Sequence, residues 1–199
     1  MGLALRDAQR HNYGEYLNWP DEQRYELIHG QAYAMSPAPS SSHQVMVVEL
    51  LAQISEGLGD DACRALVAPV DVLLPASDEA DEQCDTVVRP DLLVLCDPDK
   101  LREYGVRGAP EWIIEVLSPA TAHHDQVIKR DLYEQHGVME YWLVHPVDRL
   151  LTIYRLYEGE YGKPEIVELL GRSAPQLPVS VQIDWERVLR RMPSFGEAD

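Results

Sequence analysis

The chain has 199 residues, 45% of them apolar and 26% charged, which is globular composition and enough for one substantial domain. Its 17 Lys and Arg stand against 34 Asp and Glu, for a formal charge of −17 at pH 7. That sum excludes attachment to nucleic acid or an anionic membrane through overall charge, which needs a positive field, and leaves room only for a local basic patch.

In chain order, Leu5–Trp19 predicts a helix that Pro20 and Asp21 end. Arg24–Met35 reads as a hairpin turning near Gly30, and Ser36–Ser42 as a loop. Val47, Val48, Leu50, Leu51, Ile54 and Leu58 recur at the helical period, which predicts a helix from Ser42 or His43 to a stop at Gly59. Leu66–Leu74 and Val87–Cys96 are β-branched and leucine-rich and predict two strands, joined by an acidic, mobile loop over residues 75–86. Glu111–Leu117 predicts a strand buried on both faces. Thr121 as N-cap, Asp125 in the first turn and Gly137 just past the end predict a helix over Ala122–His136. Met139–His145, Leu150–Leu156 and Ile166–Leu170 read as a meander, and a short helix follows Asp184.

This succession predicts an α/β (α+β) domain on a mixed sheet. The sheet centres near residues 66–74, 87–96 and 111–117, with the two long helices over it. Residues 1–23 form an N-terminal helix, 24–170 the core and 171–199 a C-terminal extension of one domain. No apolar run reaches the roughly 18 residues of a membrane span, and Met1–Arg10 has no signal-peptide core. Cys63, Cys84 and Cys96 are scattered and form no CxxC pair, so neither a disulfide frame nor a zinc knuckle is expected. A reducing, cytoplasmic compartment with no membrane partner follows as the expectation.

Phosphate loops, strand-linked GxGxxG, HExxH and GxSxG are all missing, which leaves nucleotide hydrolysis, dinucleotide redox chemistry, zincin proteolysis and α/β-hydrolase chemistry without support. What stands out is acids inside apolar runs: Asp91 before Leu92–Leu95, and Glu115 within Trp112–Leu117. A buried carboxylate must be paired, hydrogen-bonded or metal-bound. Two of them about 4 Å apart repel by roughly 4 kcal/mol at an effective dielectric near 20, which a divalent cation would reverse. Oxygen-only ligation suits Mg²⁺ or Mn²⁺. The plainer alternative makes Asp91 a strand-end residue and pairs Glu115 with an arginine such as Arg89. Asp125, Lys129 and Tyr133 recur at i, i+4 and i+8 and form one polar helix stripe. The stripe is either a solvated face or a cation placed over a scissile phosphate.

The ordered motifs YELIHG (Tyr25–Gly30), His43, RPD (Arg89–Asp91), EVLSPAT (Glu115–Thr121), Asp125…Lys129…Tyr133 and GVMEYWLVHP (Gly137–Pro146) resemble the Uma-two family. These are restriction-endonuclease-like proteins of the PD-(D/E)XK nuclease superfamily, and the resemblance runs from about Tyr25 to Leu156. It implies a restriction-endonuclease-like mixed sheet flanked by helices. It puts the metal-binding acids on Asp91 and Glu115, with the Val116 carbonyl as a further ligand. The lysine such nucleases carry two residues after the second acid is Leu117 here, and the resemblance relocates it to Lys129. Glu26 matches an auxiliary active-site acid, with a surface hairpin acid as the alternative. The implied activity is Mg²⁺- or Mn²⁺-dependent cleavage of DNA phosphodiesters by a homodimer. The alternative is a non-catalytic module of the same fold that binds a protein partner or regulates a mobile element; a third reading is hydrolysis of smaller phosphoesters.

Other residues read less sharply. His43 suits a cap or a phosphate contact, adjacent His123 and His124 do not suit bidentate zinc binding, and Asp71 is a further strand acid. Arg89, Lys100, Arg102, Arg107, Lys129 and Arg130 are the candidates for a local phosphate-binding surface. Trp112, Tyr141 and Trp142 read as core aromatics.

Overall fold

The structure is a computed structural model that describes residues 9–20, 25–35, 40–60 and 62–194. In order, the elements are α1 (Tyr13–Tyr16), β1 (Tyr25–Ile28), β2 (Gln31–Ala34), α2 (Ser41–Leu58), β3 (Arg64–Val67), β4 (Asp71–Leu73), β5 (Val87–Val88) and β6 (Leu92–Leu95). Then follow β7 (Leu101–Arg102), β8 (Gly105–Arg107), β9 (Trp112–Val116), α3 (Arg130–His136), β10 (Glu140–His145), β11 (Leu150–Tyr157) and β12 (Glu160–Tyr161). The chain ends with β13 (Glu165–Glu168), β14 (Arg172–Ser173), β15 (Ile183–Asp184) and α4 (Trp185–Arg191). A π-helical stretch, His124–Lys129, leads directly into α3.

Each of the two larger sheets mixes pairings. The main sheet has the order β12-β11-β10-β9-β6-β3 with β13 also on β11, and only β9 and β10 run parallel. The second has the order β2-β1-β5-β4-β8-β7, with β4 and β8 parallel. Side-chain alternation divides the core of the main sheet into two layers. Leu92, Val94, Trp112, Ile114 and Val116 pack against Met46, Leu50 and Ile54 of α2 and Trp185 and Val188 of α4. Leu93, Leu95 and Ile113 face the other way, onto Leu132 and Tyr133 of α3 and Val72, Val88 and Val106 of the second sheet. The expected core aromatics are fully buried, with Trp112 and Trp142 edge to face at 4.7 Å between centroids. Truncating either to alanine would cost about 3–5 kcal/mol.

Several expectations change. The first helix is a single turn, capped by Asn12, whose side chain accepts from the Glu15 N–H, and the expected residues 5–8 lie outside those described. Helix α2 begins at Ser41, because the Ser40 hydroxyl accepts from the His43 N–H and caps it there; of the loop expected before it, 36–39 lie outside those described. The hairpin forms as expected, and its turn residues His29 and Gly30 both have positive φ, 50° and 76°, as a tight two-residue turn requires.

Both long central strands are split. Pro69 separates β3 from β4 and Pro90 separates β5 from β6, so each run begins in one sheet and ends in the other. Proline has no N–H to give a ladder, which is why the hand-over falls there. The acidic 75–86 segment, expected to be mobile, is tied down: Asp81 takes hydrogen bonds from Tyr104 and Arg107, the Tyr13 N–H donates to the Cys84 carbonyl, and Cys84 is buried. A disulfide joins Cys63 to Cys96, contrary to expectation. The antiparallel register pairs Arg64 with Leu95, so the residues one step outward meet. Among the described residues no helix is long and apolar enough to cross a membrane.

Candidate active site

The register of the main sheet builds the centre. β6 and β9 are antiparallel with Leu92 opposite Ile114 and Leu93 opposite Ile113, so one step further out Asp91 stands across from Glu115. Parity sends both carboxylates to the layer that Leu93 and Ile113 share with α3. Backbone and side chain then interlock. The Asp91 N–H donates to Glu115 Oε2 at 3.2 Å, and the Val116 N–H donates to Asp91 Oδ2 at 2.8 Å. His43, in the first turn of α2, puts Nε2 3.1 Å from the same Oδ2.

A third element supplies the cation. Lys129 Nζ lies 2.8 Å from Glu115 Oε1, 2.8 Å from Glu26 Oε1 and 3.6 Å from Asp125 Oδ1. The Tyr133 hydroxyl donates to Glu115 Oε1 at 3.3 Å. The stripe Asp125–Lys129–Tyr133 is therefore buried and turned inward, which rules out a solvated face; Val127 of the same stretch is exposed. Glu115 is held by lysine rather than by an arginine, because Arg89 turns away to Asp71 at 2.5 Å and over the Tyr16 ring. Glu26 is no surface acid: it is 3% exposed and also accepts from the Arg89 N–H at 2.8 Å and lies 2.9 Å from His124 Nε2.

The electrostatics follow from three carboxylates around one ammonium, with Asp91 a fourth acid beside Glu115. Burial and the neighbouring acids Asp125, Asp91 and Glu26 push the Glu115 carboxyl well above its usual range against the pull of Lys129. Burial also raises Asp125 despite Lys129. Glu26 goes the other way: burial would raise it, but Lys129 and His124 outweigh that and hold it at about 2. Burial would strip the proton from Lys129, yet Glu115 and Glu26 hold it there firmly. For His43 burial favours the neutral ring, and the Asp91 carboxylate prevails and raises its pKa.

A cavity of about 140 Å³ opens onto this cluster, lined among others by Glu26, Tyr33, His43, Asp91, Glu115, His124 and Lys129. All four residues singled out for catalysis from the sequence thus border one space. Asp71 does not: it lies apart, between Arg89 and the Tyr13 hydroxyl. His43, His124 and Tyr33 also line it; the sequence offered His43 as a cap or a phosphate contact, marked His124 only as a residue near a helix start, and gave no signal for Tyr33. Of the six cations expected to form a basic surface, Arg89 and Lys129 border the cavity and the other four are engaged elsewhere. Lys100 pairs with Glu111, Arg107 with Asp81 and Arg130 with Asp131 and Glu134, while Arg102 folds onto the Asp99 carbonyl. Among the described residues no three His, Cys, Asp or Glu side chains form a metal-binding group.

Comparison with known proteins gives the family and the fold. Residues 13–188 match the family model Uma2, described as "Putative restriction endonuclease". An uncharacterized protein of Synechocystis, slr1290, is 30% identical over 132 residues, and the match spans 65% of either chain. The crystal structure of a nuclease described as putative and belonging to DUF820, from Anabaena variabilis, superposes with a TM-score of 0.71 at 20% identity, covering 90% of this chain and 97% of that one. At that identity the likeness is one of fold.

Proposed function

This chain belongs to the Uma2 restriction-endonuclease family, and we propose that it hydrolyses DNA phosphodiester bonds with the help of a Mg²⁺ or Mn²⁺ ion. The observation that carries the reading is the meeting of Asp91 and Glu115 across one register step with the Lys129 ammonium 2.8 Å from Glu115. Four acids facing one ammonium and two imidazoles leave an excess of negative charge in the pocket, even with both rings protonated. The site answers that excess by holding Glu115 protonated or by taking up a cation. The donors fit a hard cation: all are oxygens, and Asp91 is open to the cavity with its Oδ1 free of hydrogen bonds among the described residues.

Asp91 and Glu115 would hold the ion, whose charge would polarise a phosphate oxygen and lower the pKa of a bound water. The protein's own part is positional. Tyr133 and Lys129 fix one oxygen of Glu115, and the Asp91 and Val116 amides lock the two acids to each other. Lys129, kept charged by its acids, stabilises negative charge building on the phosphate. The test is nicking of supercoiled plasmid with Mg²⁺ or Mn²⁺. EDTA, Asp91→Ala and Lys129→Ala should each abolish it; equal nicking by all three proteins would mean a contaminant and sink the reading.

One observation favours a second reading, a non-catalytic module that binds a protein partner. The candidate cations away from the cavity are paired with acids or backbone carbonyls, so a chain at −17 presents no basic groove built from them. Calorimetric binding of Mn²⁺ without any turnover of DNA would point to that reading.

A further inference from the structure

Glu26 is engaged at both ends of its carboxylate. Oε1 accepts from the Arg89 N–H and lies 2.8 Å from Lys129 Nζ, while Oε2 lies 2.9 Å from His124 Nε2. His124 and Lys129 are the first and last residues of the π-helical stretch, five positions apart. In an α-helix such residues diverge by about 140° around the axis and could not reach one carboxylate. Bonding from i to i+5 widens the turn and swings both to one side. The π turn and Glu26 therefore define one clamp: the widened turn presents its two ends, and the acid bridges them. Asp91 differs on every count, with a side chain 22% exposed against 4% for Glu26 and one oxygen turned to the cavity without a hydrogen bond among the described residues.

We infer that Glu26 is a positioning residue that fixes Lys129 and His124 and does not ligate metal, so that the site takes a single divalent cation. Glu115 is as buried and also holds Lys129, but its Oε2 takes only the Asp91 main-chain N–H, at 3.2 Å, and can turn to a cation beside Asp91 without giving up the ammonium. Coordination by Glu26 would displace an ammonium or an imidazole and free the lysine it holds. The single-ion part rests on the metal-dependent reading above; the clamp does not, and it is testable on the metal-free protein.

The first measurement is lysine-selective ¹⁵N NMR of the metal-free chain. The Lys129 ammonium, shielded by three acids, should give a slowly exchanging signal that Glu26→Gln broadens beyond detection. Glu26→Asp keeps the charge but is one methylene short of spanning both partners, and should do the same if Glu26→Gln fails to fold. An unchanged signal in a folded variant overturns the clamp. The second is calorimetric titration with Mn²⁺ at millimolar concentration. One ion per chain is expected in the wild type and in the Glu26 variant, with affinities within about threefold. Two ions in the wild type, or a loss of more than tenfold on changing Glu26, overturns the single-ion assignment. No Mn²⁺ bound by the wild type would overturn that assignment together with the metal-dependent function, and the NMR result would still decide the clamp.

Discussion

Asp91 and Glu115 hold each other through the main chain: the Asp91 N–H donates to Glu115 Oε2 at 3.2 Å, and the amide that follows Glu115 donates to Asp91 Oδ2 at 2.8 Å. The pair is thus set by strand register, and a change of side-chain charge leaves its frame intact. Asp91→Asn keeps an oxygen for the Val116 N–H and removes the charge. We expect stability within about 1 kcal/mol of wild type in urea unfolding. Plasmid nicking should fall at least about 100-fold, since several kcal/mol of charge stabilisation go with the ion. Retained nicking in Asp91→Asn would remove this residue from the mechanism.

Lys129→Ala behaves differently, because its ammonium neutralises Glu115, Glu26 and Asp125 in a buried space. Removing one partner of a buried pair costs about 3–5 kcal/mol through the charges left behind. The variant should lose stability on that scale at pH 8 and recover part of it as the pH falls and the acids take up protons. Urea midpoints at both pH values measure this. A Lys129→Ala chain as stable as wild type at pH 8 would contradict the buried network.

The two acids and the lysine were legible because each breaks a pattern: a carboxylate inside an apolar strand, or a polar repeat on a helix that should cover a sheet. Helix α2 was legible through its periodicity and α4 through Asp184 before it; Ser40 and Asp184 cap them. What could not be read depends on long-range pairing. Glu26 and His124 are 98 residues apart and meet only because β1 joins the second sheet beside β5. The π turn that aims His124 changes the helical phase, so a reading at 3.6 residues per turn misplaces that side chain. The Cys63–Cys96 disulfide and the acid partners of Arg107 and Lys100 likewise come from register and loop packing, which composition does not encode.

Stability should depend on pH through two acids of opposite sign. Glu26, held at about 2, contributes stability that is present above the ordinary carboxylate value near 4.5 and is lost as the pH falls toward 2, because the unfolded chain binds the proton first. The contribution is on the order of 3 kcal/mol. Glu115, raised by burial and its acidic neighbours, makes folding less favourable as the pH climbs above 4.5, where the unfolded chain ionises and the native carboxyl resists. Urea midpoints across pH 2–8 should therefore lose acid-side slope in Glu26→Gln, and fall less steeply above pH 4.5 in Glu115→Gln. The same slope in all three chains would contradict both assignments.

His43 offers the last check, because its two ring nitrogens differ. Nε2 lies 3.1 Å from Asp91 Oδ2, whereas Nδ1 is buried with no hydrogen-bond partner among the described residues. An imidazole in that state adds little to folding, since burying an unpaired nitrogen offsets what the other gains. His43→Leu should thus change stability by no more than about 1 kcal/mol. It would still free the Asp91 carboxylate to rotate, and an outer partner of a ligand is worth about 10–100-fold in metal affinity. Calorimetry with Mn²⁺ should show that weakening in His43→Leu and a partial recovery in His43→Gln, whose amide can still donate to Asp91. Unaltered affinity in the leucine variant would mean that the Asp91 rotamer is held by the Val116 amide alone.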